Sequence, residues 1–181
     1  MNDNQKEFAK QRLITAMENY RWRVGTGFLS TPFILYVLAD IKIDYAYRLL
    51  ENEECPGWLF MPKSGATTVW EAWEGNSTYS KGIASLNHYS KGAMVSWLFD
   101  TVCGIKVDGK NQFLIAPKPG GTLAFAEAGY DSQYGTVGCK WKKENLSIYY
   151  EVIVPANTEA TFVYPSGKTV SLGPGIHSLN E

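Results

Sequence analysis

The spacing of apolar residues changes near Gly104. Before it, apolar positions recur at helical intervals; after it, they alternate with period two. The spacing predicts a first helix from about Asn4 to Arg23, with Asn2 or Asp3 as its cap. Leu13, Met17 and Tyr20 form its apolar stripe, beside a mixed stripe of Phe8, Arg12, Thr15 and Asn19. Gly25 and Gly27 are expected to stop it. Ser30-Thr31-Pro32 then reads as a second start, with Thr31 as cap and Pro32 at the first helical position. The stretch from Pro32 to Asp40 is apolar nearly all round, so both of its faces call for cover. A third helix is predicted over about Asp44 to Asn52, ended by Pro56-Gly57. A loop from Trp58 to Gly65 and a short segment from Thr67 to Trp73 follow. A last helix is expected from after Ser85-Leu86-Asn87 to about Cys103, with Tyr89, Met94, Val95, Leu98 and Phe99 facing a core. Helices joined by short glycine-containing loops form antiparallel hairpins, either as a small bundle or as part of a larger helical toroid.

In the second half, Val137, Cys139 and Trp141 share one strand face, with Lys140 and Lys142 opposite. Leu146, Ile148, Tyr150, Val152 and Val154 share a face of the next run, and Lys143-Glu144-Asn145 reads as the hairpin connection. Further short strands are expected at Phe113 to Ala116, Thr122 to Ala128, Glu159 to Tyr164, Lys168 to Leu172 and Ile176 to Leu179. Pro and Gly clusters punctuate them. Seven short strands with close turns predict an antiparallel β-sandwich, jelly-roll-like, over 104–181. The fold class is therefore α+β, with helices over 1–103.

The 181 residues are 45% apolar and 19% charged, so a packed core is expected and wholesale disorder excluded. Lys and Arg number 17 against 18 Asp and Glu, with no block of like charge, which argues against a nucleic-acid partner. The longest apolar run, Phe33 to Ala39, is too short to span a bilayer, and the polar first residues do not read as a secretory signal. Cys55, Cys103 and Cys139 are scattered and lack metal spacing, so no metal or cofactor is expected. A reducing, cytoplasmic setting follows as the expectation. Aromatics make up 14% of the chain, which serves either aromatic-rich cores or a surface that stacks on sugar rings.

The candidate chemistry sits in Gly65 to Gly75, where Trp70, Glu71, Trp73 and Glu74 interleave two carboxylates with two indoles. A helix would make Glu71 and Glu74 neighbours; an extended chain would put Glu71 with Trp73 on one face. A carboxylate beside indole rings is partly desolvated, which suits a general base, and indole faces stack on sugars. The alternative is two surface glutamates flanking core tryptophans. His88, at a helix start, is either a ligand-binding side chain or a structural hydrogen-bonder. No nucleophile motif or phosphate loop accompanies these residues.

Several ordered motifs carry a resemblance. These are Thr26-Gly27-Phe28-Leu29-Ser30-Thr31-Pro32, Pro56-Gly57-Trp58-Leu59, Gly65-Ala66-Thr67-Thr68-Val69-Trp70-Glu71 and Asn87-His88-Tyr89-Ser90-Lys91-Gly92-Ala93. Ile115 to Gly121, Tyr134-Gly135-Thr136-Val137 and Val154 to Thr158 continue the series. Together they resemble the C-terminal end of a bacterial α-L-rhamnosidase of glycoside hydrolase family 78. The resemblance implies the last helices of an (α/α)6 barrel over 1–103 and an appended β-sandwich over 104–181. It implies a rhamnose-containing glycoside as substrate and inversion at the anomeric carbon. Inversion needs two carboxyl groups roughly 6.5–9.5 Å apart with a water between. Glu71 matches the family's general base, His88 a sugar-binding histidine, and Trp70 and Trp73 the lining of the pocket.

The chain departs from the family in having no match to the upstream acidic motif of the general acid. Ala72 and Glu74 stand where Arg and Asp are usual, Lys91 stands where an aromatic is common, and the loop between Glu74 and His88 is short. A slice of a toroid would expose apolar flanks, Pro32 to Ala39 first among them. The resemblance thus implies self-association or a complementary upstream polypeptide, and little activity for the chain alone. The alternative is a non-catalytic carbohydrate-binding or interaction module.

Overall fold

The computed structural model describes residues 2–75 and 84–181, which divide into two compact units, Met1–Met94 and Val95–Glu181. The first is helical. Its helix α1, Asp3–Asn19, opens on a reciprocal cap: the Gln5 amide donates to the Asn2 side chain at 2.9 Å and the Asn2 amide to the Gln5 side chain at 2.9 Å. The helix ends before the glycines expected to stop it. Arg21 and Trp22 both take φ of 56°, turning the chain left-handed four residues earlier than Gly25. Trp22 is buried there, stacked on Tyr45 at 5.2 Å and lying under the Arg48 guanidinium.

Thr31 does not cap the next helix. It is the first residue of a 3-10 turn, Thr31–Phe33, and its hydroxyl donates back to the Gly27 carbonyl at 3.0 Å. A short β-like Thr side chain in a buried place satisfies itself locally and leaves the cap role unfilled. Helices α2 (Ile34–Ile41) and α3 (Ile43–Leu50) pack together, burying Ile34, Leu35, Leu38, Ala46, Tyr47 and Leu49. Only one side of α2 is covered: Phe33 is 63% and Val37 44% exposed. The stretch expected to be loop after Trp58 contains one helical turn, α4 (Phe60–Lys63).

The long last helix is broken. Tyr89–Gly92 (α5), Met94–Trp97 (α6) and a π-helical turn, Leu98–Val102, replace it. Its expected core face is also wrong in part. Tyr89 is 80% exposed, and Val95 and Phe99 are exposed, while Trp97 and Val102 are buried. The break at Ala93 and the change of helical pitch after Trp97 each take the side chains off a single 3.6-residue stripe, so a face read at regular spacing points the wrong way.

The second unit has eight strands in two sheets, ordered β1-β2-β6-β7 and β3-β4-β5-β8. They are β1 (Ile105–Val107), β2 (Gln112–Ile115), β3 (Phe125–Ser132), β4 (Gly135–Glu144), β5 (Ser147–Val154), β6 (Glu159–Val163), β7 (Thr169–Leu172) and β8 (Gly175–Asn180). Strand β1, three residues long, carries too little pattern to have been read. The pairing is antiparallel except between β2 and β6, which run parallel. The all-antiparallel expectation fails at this pair because the chain changes sheets between Val154 and Glu159, and β6 enters the other sheet alongside β2.

The alternation read in β4 and β5 holds: Val137, Cys139, Trp141, Tyr150, Val152 and Val154 are buried. Leu146 does not join them. It is fully exposed in the two-residue turn Asn145-Leu146, where Asn145 takes φ of 56°. The sheets meet through rings, with Tyr150 of β5 edge-on to Phe162 of β6 at 5.1 Å and to Tyr164 at 6.0 Å. Burying a Phe-sized side chain contributes about 1.5–3 kcal/mol. The Trp141 indole N–H donates to the Val102 carbonyl at 2.8 Å, tying the π-turn to this core. Gly104, at φ of 72°, makes room for the chain itself, since a Cβ there would lie 2.1 Å from the Ala116 carbonyl carbon.

Candidate functional site

Within the helical unit, two segments run side by side and carry every residue singled out for chemistry. The Glu71 amide donates to the Ser85 carbonyl and the His88 amide to the Val69 carbonyl, both at 2.8 Å. The Thr68 hydroxyl adds a bond to the Leu86 carbonyl. Residues 76–83, and with them most of the loop expected to be short, lie outside the described residues. The Trp70–Glu74 stretch is neither a helix nor a strand: the backbone bends at Glu71 and Ala72 and turns at Trp73 and Glu74.

Glu71 is half-buried. One of its carboxylate oxygens, Oε2, accepts the Ser85 amide at 2.8 Å. A carboxylate offers about four acceptor positions, so this bond orients the group and leaves it capacity for a water. Trp70 lies over Gly75: a Cβ on Gly75 would come 2.8 Å from the ring, and Gly75 also takes φ of 68°. Trp73 takes a different partner. It meets Trp58 edge-on, at 5.5 Å and 86°, and the Lys91 ammonium sits 4.4 Å from its ring centre. Glu71 and Trp73 thus belong to one cluster, and Trp70 packs separately.

His88 caps α5, its Nδ1 accepting the Ser90 amide at 3.4 Å. A neutral imidazole that accepts at Nδ1 carries its proton at Nε2, which then serves as a donor. The ring stacks on Tyr89 at 5.2 Å and meets Phe28 edge-on at 5.3 Å. The Ser90 hydroxyl donates to the Phe28 carbonyl and secures this corner. His88 is therefore both a local hydrogen-bonder and part of a half-open aromatic surface.

Two residues of the cluster had been given no role. Trp58 is buried and its indole N–H donates to the Lys91 carbonyl at 2.9 Å. Lys91 is only 6% exposed, and its ammonium donates to the Glu71 carbonyl. Burial pushes the Lys91 ammonium's pKa down from its ordinary value, and the nearby Glu74 and Glu71 carboxylates oppose that shift. The sequence signal for Lys91 was its place where an aromatic is common; nothing in a single sequence marks a lysine as buried. Among the described residues, no three His, Cys, Asp or Glu side chains group as metal ligands. One hollow of this unit, about 370 Å³ and lined by Leu13, Met17, Tyr20, Ile34 and Leu49 among others, has none of Trp70, Glu71, Trp73 or His88 in its wall.

Comparison with known proteins places the whole chain. Residues 1–102 match the family model of the bacterial α-L-rhamnosidase six-hairpin glycosidase domain, and residues 106–176 that of the bacterial α-L-rhamnosidase C-terminal domain. An α-L-rhamnosidase of Formosa agariphila is 36% identical across 95% of this chain, which covers 19% of that protein. One from Streptomyces avermitilis is 33% identical across 91% of the chain, covering 17% of it. Among solved structures, the Streptomyces avermitilis α-L-rhamnosidase complexed with L-rhamnose aligns over 100% of this chain and 20% of its own, with a TM-score of 0.90 and 30% identity. The native enzyme from Aspergillus terreus aligns over 99% of this chain and 22% of its own, with a TM-score of 0.89 and 30% identity. The chain thus spans about a fifth of the length of the relatives it matches. With both of its halves matched in order, the chain belongs to the bacterial α-L-rhamnosidase family of glycoside hydrolases and corresponds to the C-terminal part of such an enzyme.

Proposed function

We propose that this chain forms the C-terminal part of an inverting α-L-rhamnosidase, in which Glu71 is the general base. In this reading 1–103 are closing helices of an (α/α)6 barrel, 104–181 are a jelly-roll-like sandwich, and the substrate is a terminal α-L-rhamnoside. Glu71 takes a proton from a water as its oxygen attacks the anomeric carbon. The bond from that carbon to the leaving oxygen breaks, a general acid protonates the leaving group, and rhamnose departs with inverted configuration. The acid belongs to a part of the six-hairpin domain outside this chain. Nε2 of His88 donates to a sugar hydroxyl, and Trp73 and Trp70 shape the pocket.

The observation that carries the reading is the hold on the Glu71 carboxylate: one oxygen is fixed by the Ser85 amide at 2.8 Å, in a half-buried place beside the segment that presents His88. A fixed carboxylate with acceptor capacity to spare suits the activation of a water. The uncovered apolar side of α2 at Val37, with exposed Phe33 just before it, supports a domain completed by further elements of the barrel.

The test is hydrolysis of a chromogenic α-L-rhamnoside by the chain alone and mixed with a polypeptide carrying the remainder of the six-hairpin domain. The reading expects no turnover by the chain alone and, in the mixture, release of the anomer of opposite configuration, seen by proton NMR. Retained configuration would overturn the inverting mechanism, and sugar binding without turnover in a folded mixture would favour the non-catalytic alternative.

A further inference from the structure

We propose that Lys91 is a positioning residue for Glu71, holding the loop that presents the carboxylate from behind. The proposal rests on the reading of Glu71 as the general base. Every polar group of Glu71 has a partner: its amide donates to the Ser85 carbonyl, its carboxylate accepts the Ser85 amide, and its carbonyl accepts the Lys91 ammonium. The first two partners belong to one residue on the adjoining segment. The third comes from α5, so among the described residues it is Lys91 that ties the Glu71 backbone to a different element.

Lys91 is itself fixed at both ends. Its backbone carbonyl accepts the Trp58 indole N–H at 2.9 Å, and its ammonium lies 4.4 Å from the centre of Trp73, which in turn meets Trp58. The result is a closed ring of three residues, Trp58, Lys91 and Trp73, from which the Lys91 ammonium reaches the Glu71 carbonyl. An apolar side chain would fill the same buried space without the cost of desolvating an ammonium. What the ammonium adds is a donor aimed at one carbonyl and an attraction toward the Glu71 and Glu74 carboxylates, as its electrostatic surroundings record. A carboxylate that must sit under an anomeric carbon loses rate when displaced by a fraction of an ångström, so this tie bears directly on catalysis.

The Ser85 amide reports the position of the Glu71 carboxylate and is read by NMR on the full chain, with no need for turnover. In the wild-type chain the Ser85 amide shift reports its bond to the Glu71 carboxylate, and Glu71→Gln moves it. Lys91→Met is expected to move that shift and to speed exchange of the Ser85 amide about tenfold, as loss of one hydrogen bond would. Lys91→Arg, which keeps a cationic donor, is expected to restore both. An unchanged Ser85 amide in Lys91→Met, or equal damage by Lys91→Arg, would overturn the proposal. The Lys91 Hε protons give a reading that needs no Lys91 variant. Held over Trp73, they resonate upfield of lysines with no ring beside them, and Trp73→Leu removes the shift; coincidence with those lysines in the wild-type chain would also overturn it. If Ser85 behaves as expected and Glu71→Gln still leaves turnover intact in an assembled enzyme, the tie stands and the base assignment falls.

Discussion

Glu71 and Ser85 exchange two hydrogen bonds: the Glu71 amide donates to the Ser85 carbonyl at 2.8 Å, and the Ser85 amide donates to the Glu71 carboxylate at 2.8 Å. The carboxylate therefore helps build the loop it stands on. Glu71→Ala should loosen Ser85 as well as remove the acid function. Glu71→Gln keeps an acceptor oxygen for that amide, so it should cost stability by less than about 1 kcal/mol. Urea unfolding of the two variants, followed by tryptophan fluorescence, checks the difference.

Gly75 is under two constraints and Gly65 under one. Both have positive φ, but only at Gly75 would a Cβ meet a ring, that of Trp70 at 2.8 Å; at Gly65 nothing lies within 4 Å. Gly65→Ala should cost about 1 kcal/mol for the backbone alone. Gly75→Ala should cost more and should also shift Trp70 emission. Equal losses for the two would show that the Trp70 contact is not made.

In the β unit, Trp141→Phe keeps a ring in the core and deletes the bond to the Val102 carbonyl, which is then left buried and unpaired. The expected loss is about 1–3 kcal/mol. Chemical denaturation read by the circular dichroism of the sheets checks it.

Alkaline pH should destabilise the same unit. Burial pushes the Cys103 thiol up to about 11 from its ordinary 9.0, and it pushes Cys139 and Tyr150 up as well. The folded state holds these protons more tightly than the unfolded chain. Stability is thus fully present below about pH 9, where the thiols are neutral in both states, and falls as pH rises toward 11. A melting temperature that is flat between pH 9 and 11, or that falls equally in a Cys103→Ala, Cys139→Ala variant, would contradict this.

The uncovered side of α2 should make the isolated chain self-associate. Replacing Phe33 and Val37, which are exposed, by Lys should lower the apparent mass in light scattering without lowering thermal stability. A wild-type chain that stays monomeric at high concentration would argue against an exposed barrel flank.

What the sequence disclosed depended on how regular each element is. Alternation over Val137 to Trp141 and Tyr150 to Val154 marks strands because the inward face of each stays buried along its length. The motifs single out Glu71 and His88, and the structure places their segments side by side. The face of the last helix was misread, because the switch to a π-turn after Trp97 moves Phe99 outward. Thr31 was misread because its hydroxyl could satisfy either a cap or a preceding carbonyl, and only the fold around Gly27 decides. The sequence shows no role for Lys91 and Trp58, because their bonds to each other and to Glu71 are long-range and leave no local pattern.

The central claim is tested most directly by Glu71→Gln in the assembled six-hairpin enzyme that contains this chain. Measured side by side, turnover of an α-L-rhamnoside should fall by a factor of about 10²–10⁴, while binding of L-rhamnose stays close to the wild-type value. Turnover retained at the wild-type rate, or robust hydrolysis by the isolated chain with no further part of the barrel present, would contradict it.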